Sequence, residues 1–208
     1  MQLRNAMTAM AVTLAMTAAS AANIVELWDQ VTAPPAPKLA SATVKAQETA
    51  LLLLDIEELT CNPRPRCLAA VPAMGAFLEK ARSARMAVLY SNTGNGSRAT
   101  MLPPVAPRDD EPIVKGTVNK FLGSRLDEYL KARNIKTVIV CGTAASGAAM
   151  HTATGAAQLG YKIVLPVDCV PGSSLYEEQA AVWSLLNGPG TTRVITATTL
   201  DAIQIENP

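Results

Sequence analysis

Two charged side chains and one glycine turn stand where this sequence could act on a small molecule. Asp55 lies near the end of the apolar run ALLLLDI at 50–56, which reads as a strand buried on both faces that carries its acid to one end of a sheet. Lys115 precedes a helix expected to open at Phe121, and GTAASGAAMH at 142–151 follows the strand-like TVIVC. A turn from strand into helix is a natural mount for a nucleophile, whose reaction needs an oriented side chain and N–H groups aimed at an oxyanion. The place expected for that side chain holds Ala148, whose methyl has no lone pair. Nucleophilic attack is therefore excluded at this position. A carboxyl group and an ammonium group remain, enough to donate a proton and to hold substrate charge.

Neighbouring residues were weighed for the same work. Ser146 lies two residues before Ala148, about 200° away around a helix of 3.6 residues per turn, so it does not inherit the same direction. Cys141 sits on the strand and is expected to face a helix layer. His151, the only histidine, falls on the helix after Ala148 and reads either as a rim residue or as an ordinary surface histidine. Glu57 and Glu58 read as a solvated acidic face or, for Glu57, as a second acid beside Asp55. Lys120 competes with Lys115 for the cation's role, and Arg64 and Arg66 read as solvated loop residues or as a greeting for an anion.

The elements that must position these groups alternate. After the strand at 50–56 come a helix at 67–82, a strand at 86–92, a long polar loop at 93–111, a helix at 121–133, a strand at 137–141 and a helix at 146–159. A strand at 162–167, a helix at 174–186 and a strand at 193–196 complete the series. Strands alternating with helices predict an α/β fold: a doubly wound, mostly parallel sheet flanked by helices on both faces, with ligands at the carboxyl ends of the strands. Asp55, Lys115 and the turn at Gly142 all fall on that rim.

Composition narrows the function. A chain of 208 residues with 49% hydrophobic content supports one substantial core. A formal charge of +1 and only two Trp, four Tyr and two Phe offer no basic stripe for nucleic acid or an anionic membrane, which leaves a small-molecule substrate. Arg4, an uncharged run at 6–19 and the small residues Ser20, Ala21 and Ala22 have the layout of a secretory signal peptide over 1–22, cleaved after Ala21 or Ala22, so the mature chain is expected in the periplasm or secreted and off the membrane. Residues 23–48 read as an extended N-terminal arm with a short helix near 24–30, and 49–208 as the folded domain. In an oxidising compartment Cys61 and Cys67, six residues apart, are expected to close a local disulfide. Cys141 and Cys169 end separate strand-like runs, which fits packed thiols or neighbours at one sheet edge, and burial favours packed thiols. No residue spacing suits a metal, so neither metal nor cofactor is expected.

The stretches LLLLDIEE, IVKGTVNKFLGSRLDEYL and VIVCGTAASGAAMHTATGAAQLGYKIVLPVDC resemble the isochorismatase-like, or cysteine hydrolase, superfamily over residues 48–203, which implies its three-layer sandwich. By motif position the resemblance places the family's aspartate at Asp55, its lysine at Lys115 and its cysteine at Ala148. Thr152, Ala153, Ala156, Gly160 and Tyr161 fall at the family's intervals from that last position. It also implies a cis peptide near Thr143 and Ala144, a substrate cradle that includes Ser146, Gly147 and His151, and Glu57 where a glutamine is usual. A branch of the superfamily resembling the isochorismatase of phenazine biosynthesis also lacks the thiol; there the aspartate protonates a vinyl ether carbon and water adds to the cation. The resemblance thus implies a hydrolase using Asp55 as acid on a small anionic substrate, commonly as a homo-oligomer, with a ligand-binding pseudoenzyme as the alternative.

Overall fold

The computed structural model describes residues 21–206; the leader-like run at 6–19 lies outside them. Two compact units divide the chain, Met1–Ala36 and Pro37–Pro208. The described part of the first is mostly exposed, with turns at 24–27 and a 3-10 turn at Trp28–Gln30, where the sequence suggested a short helix.

In the second unit, strands β2 (Thr49–Leu54), β3 (Ala87–Asn92), β4 (Ile113–Lys115), β5 (Thr137–Gly142), β6 (Lys162–Pro166) and β7 (Ile195–Thr198) form one sheet in the order β4-β3-β2-β5-β6-β7. Every pairing in it is parallel. This is the doubly wound α/β sheet expected from the alternation. All six residues of β2 are buried because it is central and covered on both faces. Leu51 and Leu53 enter one core, and Ala50, Leu52 and Leu54 the other. Each leucine so buried contributes roughly 1.5–3 kcal/mol, so β2 anchors the sheet.

Helix α2 (Pro65–Ser83) covers the first face through Val71, Met74, Phe77 and Leu78, with Pro65 in the first turn, where its missing N–H costs nothing. It follows the helical turn α1 (Glu58–Cys61). The opposite core receives α3 (Leu126–Ala132) through Leu126 and Leu130, α4 (Met150–Gln158) through Ala153 and Ala156, and α5 (Leu175–Asn187) through Leu185.

Three elements differ from the sequence expectation. Residues 42–48 join the fold instead of the arm: β1 (Ala42–Lys45) pairs in parallel with β8 (Ile203–Glu206), and Ala42, Val44 and Ala46 are buried in the first core. The expected helix at 121–133 begins only at Leu126, because Gly123 adopts φ 72° and the Ser124 hydroxyl accepts from the Leu126 amide, which breaks the turn just before it. The helix expected from Ser146 starts as a π-type turn, Ala145–Ala149, with non-helical dihedrals at Gly147. Both disulfides are closed. Cys61–Cys67 ties α1 to α2 as expected, whereas Cys141–Cys169, read as packed thiols, joins β5 to the turn after β6 because β5 and β6 are neighbours, with Cα atoms 4.9 Å apart.

Candidate functional site

The chain runs outward from β2 through β3 to β4, then returns across the sheet to β5 and continues to β7. The order therefore reverses between β2 and β5, and the crevice beyond their carboxyl ends is where open α/β sheets gather ligands. Asp55 and the Gly142 turn sit side by side there, since Leu54 and Gly142 are register partners. Gly142 has φ 152°, and a β-carbon on it would stand 2.4 Å from the Leu54 carbonyl oxygen, so only glycine lets β5 turn this close to β2.

Asp55 itself lies at φ 56°, in the left-handed region, which swings its carboxylate away from the strand line. The residue is 6% exposed. The Ser91 hydroxyl on β3 donates to Oδ1 at 2.7 Å, and the Lys120 ammonium stands 2.8 Å from Oδ2. Lys120 is 2% exposed, so this is a closed ion pair whose interaction water screens little. Its backbone is fixed by the Thr152 hydroxyl on α4, which accepts from the Lys120 amide at 3.1 Å. Gly155 permits that approach: a β-carbon on it would meet the Asn119 carboxamide at 2.6 Å.

Lys120 therefore takes the place assigned to Lys115. Lys115 ends the short edge strand β4 beside Asn92, is exposed, and forms no ion pair among the described residues. The motif spacing that points to Lys115 counts six residues to Phe121 as a helix start, but that helix opens at Leu126, five residues later.

Ala148 lies one helical turn before Thr152, 4% exposed, its methyl packed in the core that holds Leu54 and Val170. The turn leading to it contains the expected cis peptide at Thr143–Ala144. Its amides are heavily used: Thr143 donates to the Leu54 carbonyl, Ala145 to Pro171 and Gly147 to Ala144. Among the described residues the Ala144 N–H has no acceptor, which leaves it able to meet an anionic oxygen. The Ser146 hydroxyl is exposed and donates to Glu177 on α5 at 2.7 Å, and the Ser146 amide points at the same carboxylate. Burial alone would raise the Glu177 carboxyl, but these bonds and the Ser173 amide hold it below its ordinary value.

Two expected cradle residues stand elsewhere. Glu57 is fully buried, and protein donors occupy its carboxylate: the Thr93 amide and hydroxyl on Oε1, the Thr100 hydroxyl on Oε2. It pins the loop after β3 and caps α1, while the Thr60 hydroxyl of that turn donates to the Asp55 carbonyl. His151 is exposed because α4 turns Thr152 and Ala153 inward and leaves position 151 outside. Arg64 bonds Ser173 and the Thr60 carbonyl, and Arg66 pairs with Glu178, so both arginines tie α1 and α2 to the α5 loop.

Comparison with known proteins agrees with this fold. The isochorismatase domain matches residues 49–199. An uncharacterized isochorismatase family protein, YwoC of Bacillus subtilis, is 30% identical over 96 residues, 46% of this chain, and the match spans about half of that relative, 51% of its length. A cysteine hydrolase from Pseudomonas syringae superposes with TM-score 0.68 at 19% identity, over 80% of this chain and 95% of that one. An N-carbamoylsarcosine amidase from Thermoplasma acidophilum does so with TM-score 0.63 at 20% identity, over 74% and 97%. At such identities the superpositions speak for the fold, and the domain match speaks for descent: this chain belongs to the isochorismatase family.

Proposed function

We propose that this protein is an exported hydrolase that cleaves a small anionic enol ether by proton donation from Asp55, with no covalent intermediate. The observation that carries the reading is the buried Asp55–Lys120 pair at the point where the strand order reverses, next to a helix start that bears only the Ala148 methyl. At rest the proton resides on the Lys120 ammonium. Passing it across the 2.8 Å bond leaves a neutral amine and a neutral carboxylic acid, the form of Asp55 that can donate to carbon. Asp55 then protonates the vinyl carbon, water adds to the resulting oxocarbenium ion, and the hemiketal collapses to a ketone and an alcohol. Water returns one proton to the pair, so the cycle balances. The Ala144 N–H, which has no acceptor among the described residues, steadies the oxygen of the adduct or a substrate carboxylate in this reading.

Export is supported by the leader layout at 1–22 and by two disulfides, which persist in oxidising compartments. The test uses an enol-ether panel in D2O with purified protein. Carbon protonation places one deuterium on the product carbon, and Asp55→Asn abolishes turnover. Turnover that survives Asp55→Asn, or product without carbon-bound deuterium, sinks the acid reading; binding of the panel with no turnover assigns a ligand-binding pseudoenzyme instead.

A further inference from the structure

At the end of the sheet opposite Asp55, a cleft of ≈ 670 Å³ opens between β1 and the starts of β5, β6 and β7. That volume lies within the range of pockets that hold small organic ligands. Three cations line it, Lys45, Lys162 and Arg193, against a single acid, Glu48. None of the three is ion-paired among the described residues, whereas Arg66, Arg108, Arg125 and Lys131, also on the surface, each face a carboxylate. The floor is ordered by strand register. Thr49 partners Thr137, and Thr137 partners Lys162, so these three residues stand in a row across β2, β5 and β6 at Cα steps of about 4.8 Å, with Thr49 buried in the floor. Arg193 enters from the segment just before β7, next to that row.

We propose that this cleft is a second binding site, for a small organic polyanion bearing phosphate or carboxylate groups. Three positive groups against one negative leave the lining with a net +2, the complement of a dianion. Hydroxyl, ammonium and guanidinium donors are the groups that hold such oxygens, with the arginine fork able to take two at once. Asp55 follows Thr49 of that row by six residues, about 20 Å at a strand rise of 3.3 Å per residue, so an occupant here does not touch the reacting centre.

Calorimetric titration with inorganic pyrophosphate and with citrate tests this directly. At least one binds with Kd below about 1 mM, and Lys162→Gln and Arg193→Gln each weaken it by about tenfold, equal to 1.4 kcal/mol. Lys115→Gln, which removes the same net charge from the far edge strand, and Asp55→Asn both leave that affinity within about twofold, since charges a Debye length away are screened. Preference for pyrophosphate assigns a phosphorylated ligand, and preference for citrate a polycarboxylate. Absence of binding by either probe, equal loss in Lys115→Gln, or loss in Asp55→Asn overturns the proposal. Lys162 and Arg193 are exposed, so their variants test recognition without disturbing the core.

Discussion

Removing either half of the Asp55–Lys120 pair is expected to destabilise the protein more than the loss of a surface charge can. Lys120 is 2% exposed and its Nζ lies 2.8 Å from Oδ2, so neither charge can turn to water when its partner goes. Breaking a buried pair by deleting one member costs about 3–5 kcal/mol. For a domain of this size each kcal/mol moves the melting midpoint by about 2–4 °C, so Asp55→Asn or Lys120→Met should each lower it by roughly 6–20 °C. Asp55→Asn keeps the shape and the contact with Ser91 but strands an ammonium; Lys120→Met keeps the stem and leaves a carboxylate with the Ser91 hydroxyl at 2.7 Å. The double variant carries no buried charge at this site and should recover most of the loss, giving a coupling of about 2 kcal/mol or more in a double-mutant cycle. Guanidinium unfolding followed by circular dichroism measures all three, with Lys115→Ala as a control expected to leave the midpoint unchanged. If the two single losses add with no coupling, or if Lys115→Ala costs as much as Lys120→Met, the ion pair described here is not the one that organises the site.

Replacing Cys141 and Cys169 together by alanine should cost about 3.6 kcal/mol by the chain-entropy relation for their separation of 28, and replacing Cys61 and Cys67, only 6 apart, about 2.2 kcal/mol; chemical denaturation of each variant against the parent ranks them. Gly142→Ala should unseat the β5 turn, because the new methyl meets the Leu54 oxygen at 2.4 Å; a loss of at least about 2 kcal/mol with weakened proton-transfer activity is expected, and a variant as stable as its parent refutes the close approach. Two carboxyls contribute to the acid limb of stability. Burial pushes Glu111 and Glu177 up, but Arg82 with the Arg108 amide on the first, and the Ser146 and Ser173 donors on the second, hold both below their ordinary value. A depressed folded-state value means stability that is present above about pH 4.5 and lost as the pH falls through the folded value, so Glu111→Gln and Glu177→Gln should flatten the decline of melting midpoint below that pH. An unchanged slope in both variants refutes the assignment.

What could be read from the sequence followed from local signals. The apolar run of β2 gave its own burial, and alternation of strand and helix gave the parallel sheet, which in turn placed Asp55 and the Gly142 turn on the same rim. The strand β1 was hidden because its four residues alternate ATVK beside the proline-containing stretch before it, and its partner β8 lies 161 residues later, Ala42 against Ile203. Glu57 looked like a rim acid beside Glu58; only the folded loop after β3 brings Thr93 and Thr100 onto it and makes it structural. The Cys141–Cys169 bond was equally a product of strand order, since nothing in a spacing of 28 says that β5 and β6 are adjacent.

Lys120 competes with Lys115 in the sequence, and what decides between them bears on mechanism. Its place is set by two long-range contacts, the Thr152 hydroxyl on its amide and Asp55 on its ammonium, and neither involves position 148. Asp55 likewise owes its orientation to β2, to Ser91 and to Thr60. The Asp55–Lys120 pair is therefore positioned independently of whatever side chain stands at the helix start. A thiol at 148 would add a nucleophile to this machinery, and its absence removes nothing that holds the pair in place. That separation predicts an experiment: Ala148→Cys should leave the melting midpoint within a few degrees of the parent, since 148 takes no part in those bonds, while adding a thiol at the helix start that follows the Gly142 turn, on the same rim as Asp55. Hydrolysis of simple amides through a trapped thioester, seen by mass spectrometry, is the expected gain; a stable variant that never acylates would mean that the Ala144 N–H and the Asp55 carboxylate do not converge on one reacting carbon.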